Sequence, residues 1–291
     1  MTSLAVSPSA ARPLSPLGTA SLLLVPIGLV NAVGFLWPVI NLLKMSFREA
    51  SASGALGAGY SVETWRAALT DHFTLELIAN SVGVSLLITV LTLIASYPIA
   101  LYLHRSTGTW RTVLMVLVVA PLLTSAVVRT YGWIAILSDR GLVANALMML
   151  GMTDPPRLMF NLTGVIIGLT EILMPYMILA LLSGFGRLDP RFEEAALTLG
   201  ARPLKIFVRV VLPLTAPGMA LGSLLCFVLA ISSFVTPKLL GGGRVFLLAT
   251  EIYDQAIVTL NWPLAAALSM IVLVVFGVSL TLYGRALRHI A

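Results

Sequence analysis

Residues 77–103 form an unbroken stretch without a single charged side chain. Wound as an α-helix, a run of that length rises about 40 Å, more than the roughly 30 Å hydrocarbon core of a bilayer. Apolar stretches of similar character lie at about 21–43, 112–137, 161–185, 210–237 and 262–282. Charged residues make up 10% of the 291 residues and the mean hydropathy is +1.00, against about 25% charged residues in an ordinary soluble domain. A surface so poor in charge does not suit water. A transmembrane β-barrel would show short alternating segments instead of these long runs. The expected fold is therefore all-α and polytopic, with six transmembrane helices.

The segments between the spans carry the rest of the organisation. Residues 1–17 are rich in Pro, Ser and Ala and read as a flexible tail ahead of one transmembrane domain, 18–291. The first apolar run is too long for a signal-peptide core and lacks a clear cleavage site, so it counts as a span. Residues 44–75 read as an extramembrane loop, Gly-rich at 51–59 and amphipathic around Trp65. A short interfacial helix is expected at 142–150, and Asp154-Pro155-Pro156 breaks the chain after it. Another helix, lying across the membrane face, is expected within 245–260. With both termini in the cytoplasm, the inner segments hold ten basic residues against three acids, and the longer outer segments hold eight of each. The bias of Lys and Arg toward short inner loops favours that orientation. It also accounts for the +6 formal charge without nucleic acid.

One polar island, residues 187–209, interrupts the apolar chain. Asp189-Pro190 is a helix start, with Asp as N-cap and Pro at the first helical position. Glu193 and Glu194 follow near the positive helix end. Gly200 is placed to close that helix in a left-handed conformation, and Arg202-Pro203 begins a second short helix that leads through Leu212-Pro213 into span five. Ala195 and Ala196 offer a smooth surface for close approach. On local physics this is equally an ordinary amphipathic cytoplasmic linker.

The pattern Glu194-Ala195-Ala196, three residues, Gly200, nine residues, then Val210-Val211-Leu212-Pro213 resembles the EAA loop of binding-protein-dependent ABC importer permeases of the type I fold. Val210 stands where that family usually has Ile. The resemblance extends over nearly the whole chain, because the loop falls between spans four and five of six. Val128-Arg129-Thr130-Tyr131-Gly132-Trp133 and Trp262-Pro263-Leu264 look like the spermidine/putrescine-type branch, features shared with permeases for opines and other small amines or acids. The resemblance implies a cytoplasmic coupling helix docked on an ATP-hydrolysing subunit. Glu194 would pair with a basic residue there, Ala195 and Ala196 would permit close packing, Gly200 would make the turn, and Leu212 and Pro213 would carry motion into span five. It further implies a second permease subunit (a similar chain in a heterodimer, or a copy of itself), two ATP-binding subunits, a periplasmic solute-binding protein, and the lipids of a bacterial inner membrane. The substrate it points to is a polyamine or related small organic ion.

The chain has no Gly-x-x-x-x-Gly-Lys-Ser/Thr, and none of Lys44, Lys205 and Lys238 follows a glycine. It therefore holds no phosphate-binding loop, and ATP and Mg are expected on partner subunits. No catalytic motif appears. His72, His104 and His289 are dispersed and Cys226 is the single cysteine, so no metal site is expected.

Glu171 lies about 15 Å along span four, where an ionisable group is costly and is expected to face protein or water. Pro175 follows four residues later, and its ring disturbs the Glu171 carbonyl. The carboxylate either lines a pathway that attracts a cationic amine or bonds to a neighbouring helix. Arg129, about one bilayer thickness from Arg111, is expected at the outer interface as a gate residue, an ion-pair partner or a snorkelling cation. Tyr131, Trp133, Tyr176, Ser232, Ser233 and Thr236 are the remaining pathway candidates, and each of the hydroxyls also suits helix packing. Gly164-x-x-x-Gly168 and Gly218-x-x-x-Gly222 read as close-contact faces. A self-sufficient secondary transporter is the competing reading, but it predicts inverted repeats around a midplane ion site. An intramembrane enzyme needs paired catalytic groups at depth, and Glu171 has no such partner in sequence.

Overall fold

A computed structural model describes residues 16–50, 56–186 and 188–290. The tail expected at 1–17 falls almost wholly outside the described residues, as does Arg187 of the polar island. A helix begins at Pro16: α1 (Pro16–Asn31) continues through a π-helical turn, Ala32–Leu36, into α2 (Trp37–Ser46). Two short antiparallel strands follow, β1 (Arg48–Ala50) and β2 (Leu56–Tyr60), with Arg48 opposite Tyr60. They lie within the segment 44–75 read as an extramembrane loop. The Arg48 guanidinium bonds the Gly57 carbonyl and lies over the Tyr60 ring, which holds the hairpin closed.

The remaining helices are α3 (Glu63–Thr70), α4 (His72–Arg105), α5 (Gly108–Val119), α6 (Ala126–Leu137), α7 (Leu142–Met149), α8 (Leu162–Phe185), α9 (Pro190–Thr198), α10 (Pro203–Ile206), α11 (Leu212–Ile231), α12 (Val235–Leu240), α13 (Leu248–Tyr253) and α14 (Trp262–Ile290). Among the described residues, five segments are long and apolar enough to cross a membrane, or six if a bent pair counts as one span. The bent pair falls where the third span is expected. Instead of one helix over 112–137, α5 ends in a 3-10 turn at Ala120–Leu123, and the next segment, Ala126–Met149, which holds α6 and α7, runs at 105° to it. Pro121 and the Ser125 cap, whose hydroxyl accepts the Val127 N–H, mark the break. The fifth span is also shorter than 210–237 at its C-terminal end. Helix α11 stops at Ile231, and α12 is a separate short helix.

Helix α8 is the axis of the core, packed between α4 and α11. Val165, Leu169, Met177, Leu181 and Phe185 on α8 are fully buried with Leu103 of α4 and Cys226 of α11. At the α8–α11 crossing, a Cβ added to Gly218 would come within 2.7 Å of the Gly184 Cα. The backbones touch there, the contact that small residues permit between membrane helices. Gly222 opposes Met177 and Ala180, whereas Gly168 opposes Leu240 and Thr236 of α12. Helix α4 buries Ser81, Ser85, Thr89, Thr92 and Ser96 along one side. Ser81 donates to the Leu77 carbonyl and accepts the Leu248 N–H at 2.7 Å, tying α13 to α4. The N-terminal helix differs: α2 packs on α14, but most side chains of residues 24–43 are exposed.

Candidate functional site

Three places concentrate polar chemistry. The first is the elbow formed by α9 and α10. Asp189 caps α9 by accepting the Arg191 N–H at 2.9 Å, and Pro190 occupies the first turn. At the other end Gly200 has φ +76°, and the Gly200 and Ala201 N–H groups return to the Leu197 and Ala196 carbonyls. A side chain strains that backbone conformation, so glycine suits the joint. Helix α10 then passes through a π-helical turn, Phe207–Val211, into α11. Pro213 lacks the N–H that would bond the Arg209 carbonyl, which favours a widened turn just before it. Leu212 is half-buried and Pro213 exposed.

The elbow is anchored at one side and open at the other. Arg105, at the end of α4, holds Glu193 at 2.7 Å. Phe207 meets Tyr97 edge-on at 5.8 Å, Tyr97 meets Phe185 at 5.6 Å, and the Tyr97 and Thr215 hydroxyls are 3.0 Å apart. These contacts join the elbow to α4, α8 and α11. Glu194 and Ala195 are exposed, Ala196 is half-buried, and Glu194 forms no ion pair among the described residues. Leu199 is 86% and Leu204 74% exposed. Two large aliphatic side chains thus flank a small, flat Glu-Ala-Ala surface. The sequence marked Glu194 and Gly200 but not the Arg105–Glu193 anchor, whose members lie far apart in the chain.

The second place is polar and lies inside the bundle. Trp133 Nε1 donates to Glu171 Oε2 at 2.8 Å, so this carboxylate is held by a neighbouring helix. The same carboxylate borders a cleft of about 280 Å³ whose other walls include Leu114, Leu117, Pro121, Met174 and Pro175. Bonding to a neighbour and facing open space therefore coexist. Arg129 lies beside Glu171. Its Nη1 donates to the Ile172 carbonyl at 3.3 Å, next to Glu171, and its Nε is buried without a partner among the described residues. A bilayer-thickness count from Arg111 assumes a straight helix, and the chain bends by 105° between the two residues.

The other candidates divide. Thr236 is fully buried: Thr130 donates to the Ala126 carbonyl and its oxygen accepts the Thr236 hydroxyl at 2.9 Å, which joins α6 to α12 as packing glue. Ser232 returns its hydroxyl to the Val228 carbonyl and Ser233 is half-buried. Tyr131 is exposed and Tyr176 half-buried against the main core. A third cluster was not singled out from sequence: Lys238 on α12 pairs with Asp254 just after α13. Among the described residues no group of three or more His, Cys, Asp and Glu is placed to hold a metal ion.

Comparison with known proteins adds three findings. Residues 96–289 match the family described as "Binding-protein-dependent transport system inner membrane component". The spermidine/putrescine transport system permease protein PotB of Salmonella typhimurium (strain SL1344) is 33% identical over 266 residues, covering 89% of this chain and 92% of that protein. PotB of Escherichia coli K12 is 36% identical over 221 residues, 76% of this chain and 80% of that protein. Among solved structures, a chain of a bacterial alginate ABC transporter, crystallised with an alginate pentasaccharide-bound periplasmic protein, aligns over 94% of each chain with a TM-score of 0.75. Its 17% identity makes this a likeness of fold.

Proposed function

Because the chain belongs to the family of binding-protein-dependent transport system inner membrane components, we propose that it is the membrane-spanning permease subunit of an ATP-binding-cassette importer for polyamines. Spermidine or putrescine, the solutes in the names of its relatives, would pass from the periplasm to the cytoplasm by alternating access. A periplasmic binding protein delivers the solute, a second permease subunit completes the pathway, and two ATP-binding subunits hold ATP and Mg. The chain itself supplies no hydrolytic site. It sits in the bacterial inner membrane with both termini in the cytoplasm, which puts the elbow on the side where ATP is found.

The observation that carries this reading is the elbow. A short capped helix closed by a left-handed glycine presents exposed Glu194, Ala195 and flanking leucines, and its other side is anchored to the bundle through Arg105–Glu193 and Tyr97–Phe207. Such a part suits transmission: soft apolar knobs for a partner's groove, a carboxylate for a partner's cation, and a firm link to α4, α8 and α11. Nucleotide-driven closure of the ATPase pair would push α9 and swing the helices it is tied to.

Glu194→Lys tests it. In the assembled transporter reconstituted in liposomes, polyamine uptake and binding-protein-stimulated ATP hydrolysis are expected to vanish. The thermal stability of the isolated chain should stay within about 0.5 kcal/mol, as for other surface substitutions. Wild-type uptake in that variant would remove the coupling role.

A further inference from the structure

Between the fifth and sixth spans the structure places an ammonium in a ready-made setting. Lys238 Nζ lies 2.5 and 2.8 Å from the two Asp254 carboxylate oxygens and 5.7 Å from the centre of the Tyr253 ring. Tyr253 stacks on Phe234 at 4.4 Å with 27° between the planes. Glu251, one turn before Asp254, accepts from Gln255 at 2.8 Å. A carboxylate beside an aromatic face is the arrangement that recognises an alkylammonium: the carboxylate takes the N–H donors, and the ring faces the charge and the adjoining methylenes.

Position makes the cluster more than a surface ion pair. Helix α12 lies beside the first turns of α8: Leu240 accepts the Phe160 N–H, and Thr236 packs at Gly168. The cluster therefore sits in the outer part of the membrane-embedded bundle. Yet the Lys238 and Asp254 side chains are 33% and 30% exposed. A charged pair half-open at that depth is costly against lipid and belongs beside water or protein. Thr236 and Pro237 are buried and fix the backbone under it.

We propose that Asp254, Tyr253 and Phe234 form a binding site for one terminal ammonium of the transported amine, and that the Lys238 ammonium occupies it as a tethered stand-in when no substrate is present. This rests on the polyamine reading and assigns residues to it. An arriving alkylammonium displaces Lys238, which swings away on its flexible four-carbon stem. The exchange keeps Asp254 paired in both states, so neither state leaves a lone carboxylate within the membrane.

The test is equilibrium binding of tritiated spermidine to the detergent-purified complex of permease and ATPase subunits, without the binding protein. Lys238→Gln removes the resident competitor and is expected to tighten binding about threefold, roughly the scale of one exposed charge interaction. Asp254→Asn is expected to weaken binding about tenfold, as loss of one charge-assisted contact does. The double variant should resemble Asp254→Asn. Tyr253→Leu should weaken binding and Tyr253→Phe restore it, because the ring face and not the hydroxyl is used. A structural brace predicts another pattern: Lys238→Gln and Asp254→Asn equally impaired, with the double variant recovered. That pattern, or binding unmoved by all four changes, overturns the site. Uptake of spermidine by the wild-type assembly with its binding protein is measured alongside. Uptake retained while the variants behave as a brace removes the site alone, and absence of any amine uptake removes both the site and the polyamine reading.

Discussion

One oxygen of Glu171 is held by Trp133, and the carboxylate still borders an otherwise largely apolar cleft. Replacing it by glutamine keeps an oxygen to accept the indole N–H and removes only the charge. Glu171→Gln is therefore expected to leave assembly intact and to slow uptake of a cationic substrate about tenfold, a loss of roughly 1.4 kcal/mol of favourable interaction along the path. Uptake kinetics equal to wild type would return Glu171 to packing. The sequence showed that this residue is special, because a lone acid in a long apolar run stands out. It did not show that Trp133 is the partner, since the two are 38 residues apart and meet only because α6 turns back toward α8. For Arg129 the identity was legible, but not its contact with the Ile172 carbonyl, which lies beyond the bend after Leu123.

Among the elements, the α8–α11 crossing is the tightest, and its glycines leave no room for a side chain. Gly218→Leu is expected to force the helices apart and to destabilise the chain by roughly 1–3 kcal/mol or more, the scale of overpacking a close contact. Thermal unfolding in detergent measures it, and an unchanged midpoint would mean that the helices do not approach this closely. Caps and closers were readable from single residues: Asp189-Pro190 does start α9, and Gly200 takes the left-handed conformation. The break in the third span was less readable. Hydropathy averages across a window, and both halves are apolar, so the signal is confined to Pro121 and the Thr124-Ser125 cap. The pairing of β1 with β2 was hidden for a related reason, because β1 is only three residues long and β2 is rich in glycine.

At the scale of the whole molecule, α4, α8 and α11 pack on one another at the core and much of the apolar surface is uncovered. The side chains along residues 24–43 are largely exposed, and an open cleft of about 590 Å³ lies between α4, α11 and α14, lined by Leu86, Phe227 and Val275 among others. Apolar faces of this kind suit lipid or an apolar protein surface. Reconstituted alone, the chain is expected to show neither ATP hydrolysis nor ion-gradient-driven uptake, and both ATP hydrolysis and uptake are expected when the ATPase and second permease subunits are added. Gradient-driven uptake by the chain alone would favour a secondary transporter. By itself the sequence determined the membrane class, the number of apolar segments and the chemistry of the elbow, because hydropathy, capping and glycine conformation are set by neighbours in the chain. Only the tertiary structure decided that Arg105 anchors Glu193, that Arg129 turns inward beside Glu171, and that Lys238 rests on Asp254 and Tyr253. Those pairings depend on helix bends and crossings, which arise from packing across distant parts of the chain.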